Sequence, residues 1–178
     1  WASAFLLLKD SKASFTIEGE SPKRKRAARW GIAIGQAGLN DLSKEELIRL
    51  QQLVIENTRF VQMGLRKKGG FVGEHDRVSG EPIPDHISAK SEDLDDLVDG
   101  LIDVNQMLIK DDIHAVLAAA VIAFGFVFIH PFEDGNGRIG RAIAEKALSQ
   151  GLNAPLTFSI SHAIEYRRSE YYKELGKA

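Results

Sequence analysis

The sequence predicts an all-α protein, a helical bundle decorated by one small β-hairpin. Apolar residues recur at helical intervals along most of the chain, and cap and stop signals flank those stretches. One region, residues 67–89, breaks the pattern with glycines, prolines and short β-favouring pieces. At 178 residues with 44% hydrophobic side chains, the chain has the size and apolar surface of a single compact domain.

From the start, Ala2 to Leu8 reads as the end of a helix, followed by a polar stretch, Lys9 to Lys12, and the short segment Ser14-Phe15-Thr16-Ile17-Glu18-Gly19. Pro22 opens a second helix through Lys25, Ala28, Trp30 and Ile34, with Gly35 and Gly38 as stops. Its basic cluster, Lys23, Arg24, Lys25, Arg26 and Arg29, is read as a solvated face. Ser43 and Glu46 have capping-box spacing, and Leu47, Leu50, Leu53, Val54 and Phe60 extend a helical pattern to about Arg66. The Gly/Pro-rich stretch from Lys67 to Ala89 is expected to form a flap, and Ser91 to cap the next helix. That helix carries Leu94, Leu97, Val98, Leu101, Ile102 and Leu108, with its acids between Glu92 and Asp103 facing water.

Asp111 and Asp112 suit a helix start, and Ile113 to Ile129 is almost wholly apolar. A membrane span needs about 20 apolar residues, and this run is shorter and bracketed by polar groups. The expectation is a helix at the centre of the bundle, ending at His130-Pro131. Arg138 to Gln150 resumes helical spacing, Gly151 is the expected stop, and a last helix from about Ile164 carries Tyr171, Tyr172 and Leu175. A formal net charge of -2 removes any general pull toward nucleic acid or anionic membranes. The absence of cysteine excludes disulfide staples and thiolate metal sites, and is compatible with the cytoplasmic location we expect.

The chemistry concentrates in His130-Pro131-Phe132-Glu133-Asp134-Gly135-Asn136-Gly137-Arg138-Ile139-Gly140-Arg141, between two predicted helices. Two glycines let successive N-H groups converge, and a following helix points its positive end into the same space, which makes an anion cradle suited to phosphate. Arg138 and Arg141, three apart on that helix, present guanidinium forks to one side. Asp134 makes sense beside phosphate if Mg²⁺ bridges the two, since that ion commonly takes one or two protein carboxylates. His130, at the opposite mouth of the turn, suits a general base, and Phe132 suits an anchor to the core. The sequence lacks a Walker-type phosphate loop and a dinucleotide fingerprint, and its five histidines lack zinc-site spacing.

At every specified position, His130 through Arg141 matches the Fic-domain signature His-x-Phe-x-Asp/Glu-Gly-Asn-Gly-Arg-x-x-Arg, and the helical pattern from about Ser43 to Leu175 resembles the rest of that domain. The resemblance implies a Fic-type helical bundle and a protein adenylyltransferase, moving AMP from ATP to a Ser, Thr or Tyr hydroxyl of a protein. It implies His130 as base and Asp134 as the Mg²⁺ ligand. Gly135, Asn136 and Gly137 would line the anion hole, Asn136 would bond a phosphate oxygen, and Arg138, Ile139, Gly140 and Arg141 complete the ATP-binding segment. Ile83-Pro84-Asp85-His86 looks like the family's flap, and Tyr171-Tyr172 like its tyrosine pair near the adenine. Ser14 to Gly19 fits the inhibitory motif Ser/Thr-x-x-x-Glu-Gly/Asn, which casts Glu18 as a brake on Arg141, with Ser14 and Gly19 supporting it. On this reading residues 1–40 form an N-terminal segment carrying the brake and 41–178 the catalytic domain. ATP and a protein are the expected partners, a homo-oligomer is compatible, and neither membrane nor nucleic acid is expected. Alternatives are another nucleotidyl or phosphoryl transfer, removal of AMP, or a nucleotide-sensing module.

Overall fold

A computed structural model describes residues 2–153 and 159–177. Its helices are α1 (Ala2–Ile17), α2 (Arg24–Gly35), α3 (Lys44–Val54), α4 (Leu94–Lys110), α5 (Ala115–Ile129), α6 (Asn136–Leu152), α7 (Ile160–Tyr166) and α8 (Arg168–Leu175). Strands β1 (Phe71–His75) and β2 (Pro82–Ile87) form one antiparallel hairpin. The fold is the predicted helical bundle with a hairpin. One core collects Phe15 from α1, Trp30 and Ile34 from α2, and Leu47, Leu50 and Val54 from α3; Val98, Ile122, Phe126, Ile139 and Ile143 complete it from α4, α5 and α6. Each such burial contributes about 1.5–3 kcal/mol.

The pair α5 and α6 carries the motif turn between them. They pack closely because residue 140 is glycine: a Cβ there would lie 2.6 Å from Val127 Cγ2. In the hairpin, Phe71 faces Ile87 and Gly73 faces Pro84, with a bulge between Val72 and Gly73. Gly73 sits at φ 150°, where a side chain would strike the Ile83 carbonyl.

Several local expectations give way. The polar stretch Lys9 to Lys12 does not interrupt a helix, because Asp10 and Ser11 are buried and bonded, Ser11 Oγ donating to Ala27 O at 2.6 Å. Thus α1 runs unbroken to Ile17 and stops at a Schellman cap, Gly19 at φ 76° with Gly19 N-H on Thr16 O and Glu20 N-H on Phe15 O. Ser43 caps α3 as predicted, accepting from Glu46 N at 3.1 Å, but α3 ends at Val54 rather than near Arg66. Gln51 folds the following loop back on the helix, donating to Gln62 O and accepting from Gly64 N. Phe60, counted as part of the helical pattern, is exposed.

Ser91 opens a one-turn 3-10 helix and makes no cap bond. Asp111 closes α4 and Asp112 turns the chain at φ 51°, while His114 caps α5 by accepting from Val116 N. Gly151 lies inside α6 because only glycine clears Ala115 there, and Asn153, at φ 47°, is the actual C-cap. The last helix is two, broken at Arg167. Of the basic cluster, Arg26 is not solvated: it donates to Val54 O and Glu20 and lies over the Phe15 ring. The acids of α4 do face water, and two of them, Asp95 and Asp99, also pair with Lys44 of α3. The apolar helix α5 is also not buried all round; Val116, Leu117, Val121, Phe124 and Phe128 are exposed. No helix among the described residues is long and apolar enough to cross a membrane.

Candidate active site

The site begins where α5 must stop. Pro131 has no N-H to donate and disfavours helical backbone at the residue before it, so His130 leaves the helix in the left-handed region at φ 54° and ψ 59°. Its N-H still caps α5 on Phe126 O at 3.0 Å. The imidazole Nδ1 lies 3.3 Å from Val127 O. A carbonyl can only accept, so Nδ1 carries the proton and Nε2 keeps a free lone pair. Burial holds the ring pKa below the ordinary histidine value, and the nearby charges of Arg66 and His86 push the same way, against Val127 O and Glu18. A neutral ring with an open Nε2 is equipped to accept a proton.

Across the turn, Asn136 closes the loop with its side chain, Oδ1 accepting from Phe132 N and Nδ2 donating to Phe132 O. Phe132 anchors the loop against Phe126, as its apolar ring in a polar segment predicts. With its side chain holding Phe132, the Asn136 main-chain N-H is the group that faces the start of the turn's helix. Gly135, at φ 93°, starts α6 with its first N-H groups unspent. Against this positive helix end lies the Glu18 carboxylate: a Cβ at Gly137 would meet Glu18 Oε1 at 2.2 Å. Glu18 thus lies against the first turn of α6.

Both arginines of the motif are engaged. Arg141 donates to Glu18 Oε1 and to Ser14 O, each at 2.8 Å, and to Ser14 Oγ at 3.2 Å. Arg138, only 2% exposed, bonds Glu20 and donates to Asp134 Oδ1 at 2.9 Å, with Phe15 beneath its guanidinium. Asp134, half-exposed, also accepts from Gly135 N. Ile139 is buried in the core and Gly140 is pressed on α5, so these two hold the helix rather than face the cavity.

A cavity of about 500 Å³ opens over this turn, lined by Glu18, Asp85, His86, His130, Gly137, Arg141, Tyr171 and Tyr172 among others. Tyr171 and Tyr172 meet edge to face at 5.4 Å, and Tyr172 Oη donates to Ile17 O. Desolvation raises the pKa of both phenols, so both stay neutral. His86 fastens the hairpin to α5, Nε2 2.7 Å from Phe128 O and its ring 4.7 Å from the Phe128 ring. Ile83 and Pro84 lie on exposed β2 outside the lining. The structure therefore brings together Glu18, His130, Gly137, Arg141, the tyrosine pair and the Asp85-His86 half of the flap.

Three residues near the site escape the motif reading. Glu20 stands two beyond Glu18, Arg26 is one of five basic neighbours, and Arg66 is one of several cations in a loop. Only their long-range contacts distinguish them.

A sequence model of the Fic/DOC family matches residues 41–148. A protein adenylyltransferase fic-1 of Caenorhabditis elegans is 28% identical over 138 residues, 77% of this chain and 25% of that protein. A protein adenylyltransferase Fic of Nematostella vectensis is 31% identical over 98 residues, 54% of this chain and 21% of that protein. A Fic family protein from Desulfovibrio desulfuricans G20 superposes with a TM-score of 0.70 at 22% identity, covering 97% of this chain and 57% of its own. A Fic domain containing signaling protein from Bacteroides thetaiotaomicron does so with a TM-score of 0.65 at 18% identity, covering 92% and 63%. The chain thus spans about a quarter of the curated relatives it matches. With the family model matching residues 41–148, the complete motif and the shared fold, this chain belongs to the Fic/DOC family.

Proposed function

We propose that this domain transfers AMP from ATP to a Ser, Thr or Tyr hydroxyl of a protein, and that Glu18 restrains it. One observation carries the reading: a neutral imidazole with an open Nε2 shares a cavity with a helix N-terminus on which a carboxylate already rests. The names of the relatives support the reaction class. His130 Nε2 takes the hydroxyl proton as the oxygen bonds the α-phosphorus, and the bond from that phosphorus to the pyrophosphate oxygen breaks. The N-H groups at Gly135, Asn136 and Gly137, with Arg138 and Arg141, receive the negative charge once Asp134, Glu18 and Glu20 release them. Tyr171 and Tyr172 wall the adenine side, and the hairpin presents the target segment as an added strand.

Asp134 fits Mg²⁺ as a half-exposed carboxylate beside a phosphate cradle, the remaining ligands being phosphate oxygens and water. The ion would supply charge neutralisation at the polyphosphate, once Asp134 is released from Arg138. Glu18 supports the restraint physically, because it already neutralises the Arg141 charge that a phosphate would seek, and its own charge repels the incoming anion.

Glu18→Gly should raise automodification from labelled ATP about tenfold or more, the equivalent of one charge-assisted pair removed. In that background His130→Ala should lower transfer at least a hundredfold while ATP binding survives. A Glu18→Gly protein no more active than its parent defeats the restraint, and transfer surviving in His130→Ala defeats the base. Mass analysis of the product separates AMP from UMP or a phosphoryl group.

A further inference from the structure

Among the described residues, Arg66 is a buried cation with no carboxylate partner. Its guanidinium serves carbonyls only: Nε donates to His130 O at 2.8 Å, Nη1 to Lys68 O at 2.7 Å, and Nη2 to Ala89 O. The main chains are stitched as well, Arg66 N-H on Pro131 O at 3.0 Å and Ala89 N-H on Ile129 O at 3.3 Å. One side chain therefore ties both ends of the flap, residues 68 and 89, to the peptide that leaves His130. That peptide needs holding. A non-glycine residue in the left-handed region persists only where its surroundings over-determine it.

We propose that Arg66 is a positioning residue for the proton transfer, fixing the backbone of His130 and coupling the base to the flap. The inference rests on the reading of His130 as base. Orientation is where its effect should appear, since a misplacement of about 1 Å can cost about a hundredfold in rate. Its charge also faces the ring, together with His86 from β2 and Glu18 from the end of α1.

The test uses the full chain carrying Glu18→Gly. Arg66→Gln should lower kcat of automodification about tenfold to a hundredfold and change ATP affinity less than about threefold. With the cation gone, the acid limb of the pH profile and the His130 imidazole titration followed by NMR should both move to higher pH. Arg66→Lys, which keeps the charge and part of the bonding, should leave the limb in place and recover part of kcat. Unchanged kcat and titration in Arg66→Gln overturn the proposal. So does Arg66→Lys if it loses ATP affinity and melting temperature in step with kcat, and that variant decides should the glutamine form not fold. An active His130→Ala protein removes the base reading itself, whereas an inactive one beside a fully active Arg66→Gln removes only the role of Arg66.

A separate observation concerns Glu20. It bonds the buried Arg138, which in turn holds Asp134, and its other oxygen accepts from Arg26 at 2.6 Å. We infer that Glu20 is a second brake, occupying Arg138 as Glu18 occupies Arg141. This rests on the nucleotide-site reading of the turn. In the Glu18→Gly background, Glu20→Gln should tighten ATP binding by a further factor of about ten, read by calorimetry without catalysis. Glu56→Gln removes a carboxylate near Arg26 that does not touch Arg138, and should leave that affinity unchanged. Equal affinity with and without Glu20, or an equal gain from Glu56→Gln, defeats the second brake. A Glu18→Gly protein that binds no ATP defeats the nucleotide site and this inference together.

Discussion

Helices α5 and α6 lie side by side and invert the usual relation between hydrophobicity and burial. Between Ala115 and Ile129, α5 has no polar side chain, yet Leu117, Val121, Phe124 and Phe128 are exposed along one face. The neighbouring α6 carries Arg138, Arg141, Glu145 and Lys146, and all four are buried. What admits Arg138, Arg141 and Lys146 is a hydrogen-bonded partner for each, whereas burial beside another carboxylate raises the pKa of Glu145. Arg138 has Glu20 and Asp134, Arg141 has Ser14 and Glu18, and Lys146 donates to the carbonyls of Ala37 and Asn40. Glu145 faces Asp10, which caps α7 by accepting from Ser161 N and His162 N. Apolar surface is interchangeable, whereas a buried charge requires specific company. The inverted helix is also the one that starts at the motif turn, and its two arginines are neutralised from the end of α1 and from the turn itself.

The contrast predicts a graded set of effects. The largest belongs to the buried face of α5: Phe126→Ala should cost about 3–5 kcal/mol in chemical denaturation. Next comes α6, where Lys146→Ala strands two carbonyls and should cost about 1–3 kcal/mol; a smaller loss would mean that water replaces the ammonium. Glu145 sets a pH dependence. Burial first, and the Asp10 charge second, raise its pKa in the folded protein well above the ordinary glutamate value. The folded state therefore binds the extra proton. That contribution to stability is complete below the unfolded value and falls as pH rises toward the folded one, at about 1.4 kcal/mol per pH unit at most. Glu145→Gln should flatten the slope, and denaturation midpoints across that range measure it. Smallest is the open face of α5, where Leu117→Ser should stay within about 0.5 kcal/mol. A larger loss there would show that the exposed face is covered in solution.

Much of the site was legible because a twelve-residue turn holds most of its chemistry in sequence order. His130, Gly135, Gly137 and Arg141 act through local backbone geometry that proline and glycine dictate, and Ser14 to Gly19 is as local. Gly19 caps α1 and so brings Glu18 beside Arg141. Arg66 and Glu20 were invisible because their roles are defined by partners 64 and 118 residues away. The bonds of the Asn136 side chain to Phe132 were equally hidden: the residue type announces a polar contact and leaves the recipient open.

Helix boundaries failed where side chains overrode periodicity. Gln51 pulls the loop after α3 back on itself, and Ala115 admits no side chain at Gly151. Composition and spacing alone determined the fold class, the hairpin and the position of the turn between α5 and α6, since these follow from short-range rules of backbone and burial. Tertiary structure decided which charges are buried, which face of α5 stays open and which carboxylate sits on each arginine. Those outcomes depend on groups far apart in the chain meeting at distances of a few ångströms, and a linear pattern does not encode such meetings.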